Sequence, residues 1–112
     1  MDLQVAHIQG VTKVALAGRL DTAGVSRIEA RFSASVVPGG KPAVVDLTEV
    51  EFLASLGIRM LISTARTLSM KGGKLAMYGA NPAVLEIIET ASLQDIIPLA
   101  ASEDEAIALV RA

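Results

Sequence analysis

Short apolar runs alternate along this chain with longer segments in which apolar residues recur every three or four positions. The clearest run, Pro42–Leu47, reads Pro-Ala-Val-Val-Asp-Leu and is typical of a strand buried on both faces of a sheet. From Ser55 to Met70 the period becomes helical, and Lys71-Gly72-Gly73 then supplies a helix stop. A strand followed by an amphipathic helix and another strand favours parallel pairing in an α/β sheet.

The same reasoning extends over the rest of the chain. We predict further strands at residues 3–8, 11–16, 74–78 and 96–99, and helices beginning at Asp21 or Thr22, at Asn81-Pro82 and at Ser102. Residues 48–53 are predicted to form a connecting loop with Phe52 facing inward. The buried stripe of the helix over 55–70 is predicted to consist of Ile58, Leu61, Ile62, Ala65 and Leu68.

The predicted architecture is an α/β fold in the order β-β-α-β-α-β-α-β-α. It contains a mixed, mostly parallel sheet of about five strands with four helices packed on it. Gly10 lies between the first two strands, so we expect these strands to form a hairpin that adds antiparallel to one edge of the sheet. The composition is even along the chain, which favours a single domain over residues 1–112.

Composition excludes several classes of protein. The chain carries 10 basic and 12 acidic residues with no Trp and no Cys, so it lacks the basic face and aromatic platforms typical of a nucleic-acid binder. The longest stretch without a charged residue, Leu75–Leu85, has 11 residues, whereas a membrane span needs about 20. Without a recognisable secretory signal, we expect a cytoplasmic location and no direct membrane insertion.

The chain offers no convergent set of catalytic groups. Its only histidine, His7, lies in a predicted strand among apolar residues and has no second His or Cys with which to share a metal. Glycine motifs for nucleotides and the nucleophile-elbow motif are absent. We therefore expect no enzyme, cofactor or metal; a small-molecule-binding or catalytic α/β domain is the alternative from a different class.

The segment from Phe52 to Arg59 is the most informative for function. Ser55 lies at or just before the first turn of the predicted helix, where backbone N–H groups lack intrahelical acceptors. One interpretation is a helix N-cap. The other is a phosphorylation site, because a phosphate there would meet free N–H groups and the positive end of the helix dipole, with Arg59 one turn away. The residues alone favour neither interpretation.

The order of motifs along the chain resembles that of a STAS domain, the family of bacterial anti-sigma factor antagonists. No single motif is specific, but all five occur in family order and spacing across nearly the whole chain. The matching segments are Gly18-Arg19-Leu20-Asp21, Val44-Val45-Asp46-Leu47, Phe52 to Gly57, Asn81-Pro82-x-Val84 and Ser102-x-x-Glu105-Ala106.

This resemblance implies a phosphorylation switch. In the family, the serine at the position of Ser55 is phosphorylated by an anti-sigma factor that is also a serine kinase. The unphosphorylated domain binds this kinase and frees a sigma factor, and a serine phosphatase resets the switch. By resemblance, Ser55 is the phosphoacceptor, Asp21 and Asp46 lie at the edge that holds the loop, and Gly57 lies where the loop turns close to the helix.

Two positions depart from the family pattern. Ala54 stands where the family often has Asp, and Leu56 stands where it often has a second Ser or Thr. Ala54 favours, as an alternative, an adaptor subunit of a transporter or sensory complex that is not phosphorylated. Leu56 is either packed on the core or an exposed apolar anchor for a partner. Arg19, which can pair with Asp21, and Arg59 complete the predicted partner-binding set.

Overall fold

The computed structural model describes residues 1–112, and its elements follow the predicted order. The strands are β1 (Asp2–Ile8), β2 (Val11–Leu20), β3 (Ala43–Leu53), β4 (Leu75–Tyr78) and β5 (Leu99–Ala100). The helices are α1 (Thr22–Val36), α2 (Ser55–Met70), α3 (Pro82–Thr90) and α4 (Glu103–Arg111). Short 3-10 turns at Pro38–Gly40 and Leu93–Asp95 precede β3 and β5.

The five strands form one sheet in the spatial order β1-β2-β3-β4-β5. β1 and β2 make an antiparallel hairpin through Gln9 and Gly10, whose φ angles of 52° and 80° suit a two-residue turn. The other neighbouring pairs are parallel, and a helix connects the two strands of each pair. The predicted α/β fold, with its antiparallel hairpin at one edge, is confirmed.

Helices cover both faces of the sheet, so the central strands are buried on both sides. Residues of α1, α2 and α3 pack with one sheet face into a core of 22 buried residues that includes the fully buried Phe32. On the other face, α4 packs through Ile107 and Val110 into a smaller core of 8 buried residues. None of the helices has both the length and the apolar character needed to cross a membrane.

The largest correction to the predicted elements concerns residues 48–53. They are not a loop, because β3 runs without interruption to Leu53 and its second half pairs with the second half of β2, which itself extends beyond the predicted end at residue 16 to Leu20. Val50 and Leu53 face the core while Glu49 and Glu51 are exposed. Beyond the end of β4, the second halves of β2 and β3 remain hydrogen-bonded to each other.

Two smaller corrections concern the fifth strand and the buried stripe of α2. The sequence predicts a strand over residues 96–99, but β5 comprises only Leu99–Ala100, because the N–H groups of Ile96 and Ile97 donate to the Leu93 carbonyl oxygen and continue the preceding turn. In α2, Met60 and Thr64 are buried, whereas Ile58, Ile62 and Ala65 are only partly buried at the edge of the core.

Candidate functional site

Ser55 is the first residue of α2, and a single residue, Ala54, separates it from β3. The backbone holds this junction firmly: the Ala54 N–H donates to the Leu20 carbonyl oxygen at 3.0 Å, and the Ile58 N–H donates to the Ala54 carbonyl oxygen at 3.0 Å. The Ser55 side chain is exposed. The two longest strands of the sheet therefore present the serine hydroxyl at a fixed position on the surface.

The N-terminus of α2 differs from those of the other three helices. Side chains cap α1, α3 and α4: the backbone N–H groups of Gly24, Val84 and Glu105 donate to Asp21, Asn81 and Ser102, respectively. The N-cap of α2 is Ala54, which has no side chain that can accept such a bond. The interpretation of Ser55 as a helix N-cap is therefore wrong, and the first N–H groups of α2 have no side-chain acceptor.

Gly57 sets how closely α2 approaches β2. A Cβ atom at this position would lie 2.8 Å from the Leu20 carbonyl oxygen and 2.8 Å from Leu20 Cγ, which is closer than packed atoms approach each other. Leu20 is fully buried, so its side chain has little room to move away. The absence of a side chain at Gly57 therefore positions the first turn of α2, and Ser55 with it, against the end of β2.

Arg19, Asp21 and Phe52 form a small polar and aromatic cluster beside this junction. Arg19 Nε lies 3.5 Å from Asp21 Oδ2, and the Arg19 guanidinium lies 4.6 Å from the centre of the Phe52 ring. Phe52 is thus half-buried beneath Arg19 at the surface, and the prediction that it faces inward is wrong. Strict alternation from buried Val50 would place Phe52 on the core face. The pairing shifts here, because Gly18 lies opposite Val50 and Arg19 lies opposite Phe52, and the extra residue Glu51 turns Phe52 to the surface.

Asp21 is ionised more readily in the folded protein than in a free peptide. The Gly24 N–H that Asp21 caps, together with the Arg19 guanidinium, holds the pKa of this carboxyl below its usual value. Ionised Asp21 therefore stabilises the folded state above the unfolded-state pKa of about 3.9, and this contribution is lost as the pH falls through the lower folded-state pKa.

Replacing Asp21 with asparagine should flatten the acid limb of the stability profile. The Asn amide oxygen can still cap Gly24 but does not titrate and does not pair electrostatically with Arg19. Asp21→Asn should be less stable than the wild type at pH 7, and the difference should shrink as the pH falls below about 4. Urea unfolding at several pH values measures this difference in stability. Asp95→Asn is the control, because Asp95 is exposed and takes part in no ion pair. Parallel profiles for wild type and Asp21→Asn would contradict it.

Leu56 and Arg59 extend the exposed surface around Ser55. Leu56 keeps 39% of its surface accessible, so it is not packed on the core and is available as an apolar contact. Arg59 is exposed one turn further along α2 and takes part in none of the ion pairs within the chain. Met60, which follows it, is buried.

Asp46 does not join this group of residues. It lies opposite Tyr78, the last residue of β4, and seven positions before the end of β3, which corresponds to roughly 20 Å along an extended strand. Its carboxylate accepts a 2.9 Å hydrogen bond from the Thr48 N–H and lies 3.8 Å from Lys13 Nζ. The structure thus separates Asp46, in the first half of β3, from Ser55, which follows the end of the same strand.

The surroundings of Asp46 tie α4 to the sheet. Lys13 Nζ donates a 3.2 Å hydrogen bond to Glu103 at the start of α4. Burial lowers the pKa of Lys13, but the interactions with Glu103 and Tyr78 together outweigh this effect, and the pKa lies above its usual value. Burial, together with the nearby Asp46 carboxylate, raises the pKa of Tyr78 to about 12, so this phenol stays protonated at neutral pH.

The fold and the junction between β3 and α2 define this chain as an α/β domain of the STAS-like type, with helices on both sheet faces and its candidate site exposed. The STAS domain family model matches residues 2–106, and the chain belongs to this family. BtrV of Bordetella bronchiseptica, whose name describes an anti-sigma factor antagonist, is 30% identical over 108 residues, covering 96% of this chain and 93% of BtrV.

Solved structures of similar proteins include two described as anti-sigma factor antagonists. An anti-sigma factor antagonist from Mycobacterium paratuberculosis is 28% identical with a TM-score of 0.87, over 99% of this chain and 94% of the other. The anti-sigma factor antagonist SpoIIAA in its unphosphorylated form is 22% identical with a TM-score of 0.77, over 98% and 96% of the two chains. SpoIIAA of Bacillus in its phosphorylated form has a TM-score of 0.65, at 20% identity over 96% and 98%.

Proposed function

We propose that this protein is an anti-sigma factor antagonist that binds an anti-sigma factor with serine kinase activity and is released when that kinase phosphorylates Ser55. Sigma-factor-dependent transcription would then depend on the phosphorylation state of one serine. The names of BtrV and of the solved relatives support the choice of partner. The two forms of SpoIIAA show that a protein of this fold is found with and without a phosphoryl group.

The observation that carries the proposal is the exposed hydroxyl of Ser55 at the uncapped start of α2. A kinase needs an accessible hydroxyl, and Ser55 is exposed at the first position of the helix. A phosphate on that hydroxyl would lie close to backbone N–H groups without acceptors and to the positive end of the helix dipole. The anionic product is therefore stabilised where it forms, even though Ala54 replaces the aspartate that the family often has.

The proposed partner surface surrounds Ser55. Leu56 supplies exposed apolar area, while Arg19, Asp21 and Arg59 supply polar and charged groups around it. Ala54 leaves the surface beside Ser55 without a negative charge, and buried Gly57 acts by positioning the turn. An exposed apolar residue inside a polar rim is the usual arrangement of a protein–protein contact.

Phosphorylation would act on this surface through charge. The γ-phosphoryl group passes from the kinase's ATP to Ser55 Oγ, ADP leaves, and the hydroxyl proton is released. The product carries about −1.5 to −2 charges at the centre of the contact. Binding of the partner would have to remove water from the phosphate, and negative groups of the partner would be repelled by it. The protein is the substrate in this reaction and needs no cofactor of its own, and a serine phosphatase would restore the hydroxyl.

Pull-down from the native host tests the proposal. Wild type, Ser55→Ala and Ser55→Asp serve as baits, with Ala108→Asp as the control because Ala108 is exposed on α4, which packs on the other face of the sheet. Mass spectrometry identifies the captured proteins and maps phosphate on the wild-type bait. An anti-sigma factor kinase should appear with wild type, Ser55→Ala and Ala108→Asp but not with Ser55→Asp, and phosphate should map to Ser55.

The opposite pattern identifies the adaptor alternative. If all four baits capture the same transporter or sensory proteins and Ser55 carries no phosphate, the proposed switch is wrong. Capture of an anti-sigma factor by all four baits alike would support the partner but contradict the role of Ser55.

A further inference from the structure

The exposed face of α2 carries positive charge only. Arg59 and Arg66 are the only charged residues between Ser55 and Met70, and both are exposed. Neither takes part in the ion pairs of the chain, which involve Lys13 and Arg19 instead. The two guanidinium groups are therefore free to bind carboxylates of another molecule.

Ser55, Arg59 and Arg66 lie along one side of the helix. At about 3.6 residues per turn, the spacings of four and seven residues return each side chain to nearly the same face, and the two arginines are about 10 Å apart along the axis. A shallow cleft of about 440 Å³ between them is lined by Ile62, Ser63 and Thr67 as well as by the arginines. We call the line from Ser55 through Arg59 to Arg66 the α2 stripe.

The charge of the α2 stripe is opposite to that of α3 and of the whole chain. The protein has a formal net charge of −2 at pH 7. The charged residues of α3 are Glu86 and Glu89, both exposed, whereas α1, which also packs beside α2, carries two arginines and one glutamate. The positive end of the α2 dipole adds to the stripe at Ser55. A negatively charged surface would therefore be attracted to this face of the molecule in particular.

We infer that the α2 stripe, including Arg66, binds an acidic surface of the anti-sigma factor. This inference rests on the proposed function. It extends the proposed contact surface along α2 from the first turn to Arg66, two turns beyond Arg59. It also gives the switch a physical cause. A phosphate on Ser55 would place negative charge on the stripe and offer Arg59 an internal ion-pair partner, so the acidic surface would lose one contact and meet repulsion.

Charge reversal at Arg66 tests the inference without altering Ser55. The probe is the anti-sigma factor recovered with the wild-type bait, expressed and purified alone. Its affinity is measured for wild type, Arg66→Glu and Lys41→Glu, a matched reversal at an exposed lysine before the amino end of β3. Arg66→Glu should bind about tenfold or more weakly at low salt, and the difference should narrow as salt screens the charges. Lys41→Glu should bind like the wild type.

Other results separate the two proposals. Equal affinity and equal salt dependence for wild type and Arg66→Glu would overturn the inference while leaving the proposed function intact. Failure of the purified anti-sigma factor to bind the wild type would overturn both. If Arg66→Glu instead abolishes a dimer of this chain in sedimentation, the occupant is a second copy, matched through Glu86 and Glu89, and the inference is wrong.

Discussion

Replacing Gly57 with alanine is expected to lower the free energy of unfolding by about 2 kcal/mol, the usual cost of overpacking a filled site. The sign of this change distinguishes a filled site from an open one, because replacing glycine with alanine in an open helical position stabilises the protein by up to about 1 kcal/mol. At position 57 the new methyl group would lie 2.8 Å from the Leu20 carbonyl oxygen and 2.8 Å from Leu20 Cγ. The backbone oxygen cannot change rotamer, so the start of α2 must shift away from β2.

Urea unfolding of Gly57→Ala measures the effect, with Ser63→Ala on the exposed face of the same helix as control. Ser63→Ala should be neutral or slightly stabilising. Because the shift in α2 would also displace Ser55, Gly57→Ala should lose affinity for the anti-sigma factor at temperatures where it is still folded. A Gly57→Ala protein as stable as the wild type would show that α2 does not depend on this close approach.

Phosphorylation of Ser55 is expected to weaken binding to the anti-sigma factor at least about hundredfold, which corresponds to about 3 kcal/mol. The phosphate brings about −1.5 to −2 charges and a large desolvation cost to a contact built around Leu56 and the two exposed arginines of α2. Ser55→Asp adds one charge and no tetrahedral group, so its loss should be smaller but in the same direction. Ser55→Ala should bind like the unphosphorylated wild type.

This second prediction is measured by titration calorimetry of the purified anti-sigma factor against the unmodified and the phosphorylated wild type, Ser55→Ala and Ser55→Asp. Ala108→Asp controls for an added charge on α4, away from the contact. Equal losses for Ser55→Asp and Ala108→Asp would indicate a general effect of net charge and would contradict a local role for Ser55.

The elements that could be predicted from the sequence are those with local signals at their ends. Asp21, Asn81 and Ser102 cap their helices as predicted, and α2 begins at Ser55 and ends at Met70, because capping side chains and glycine stops act within a few residues. The exposed position of Ser55 follows from the same local pattern. Its role within the helix does not, because the serine is the first helical residue and Ala54 is the cap.

The features that were missed depend on pairing between distant segments. The length of β3 is set by its pairing with the end of β2, some thirty residues earlier, and polar residues such as Glu49 and Glu51 conceal it in a search for apolar runs. That length separates Asp46 from Ser55 and brings Phe52 beneath Arg19. Motifs that are neighbours along the chain therefore contribute to different parts of the surface.

The most direct test of the account is the affinity of the purified anti-sigma factor for this protein before and after phosphorylation of Ser55. Incubation with the anti-sigma factor and ATP should transfer one phosphate, which mass spectrometry should place on Ser55, and Ser55→Ala should remain unmodified. The phosphorylated protein should then bind at least about hundredfold more weakly than the unmodified protein. Unchanged affinity, or phosphate on any residue other than Ser55, would contradict the proposed switch.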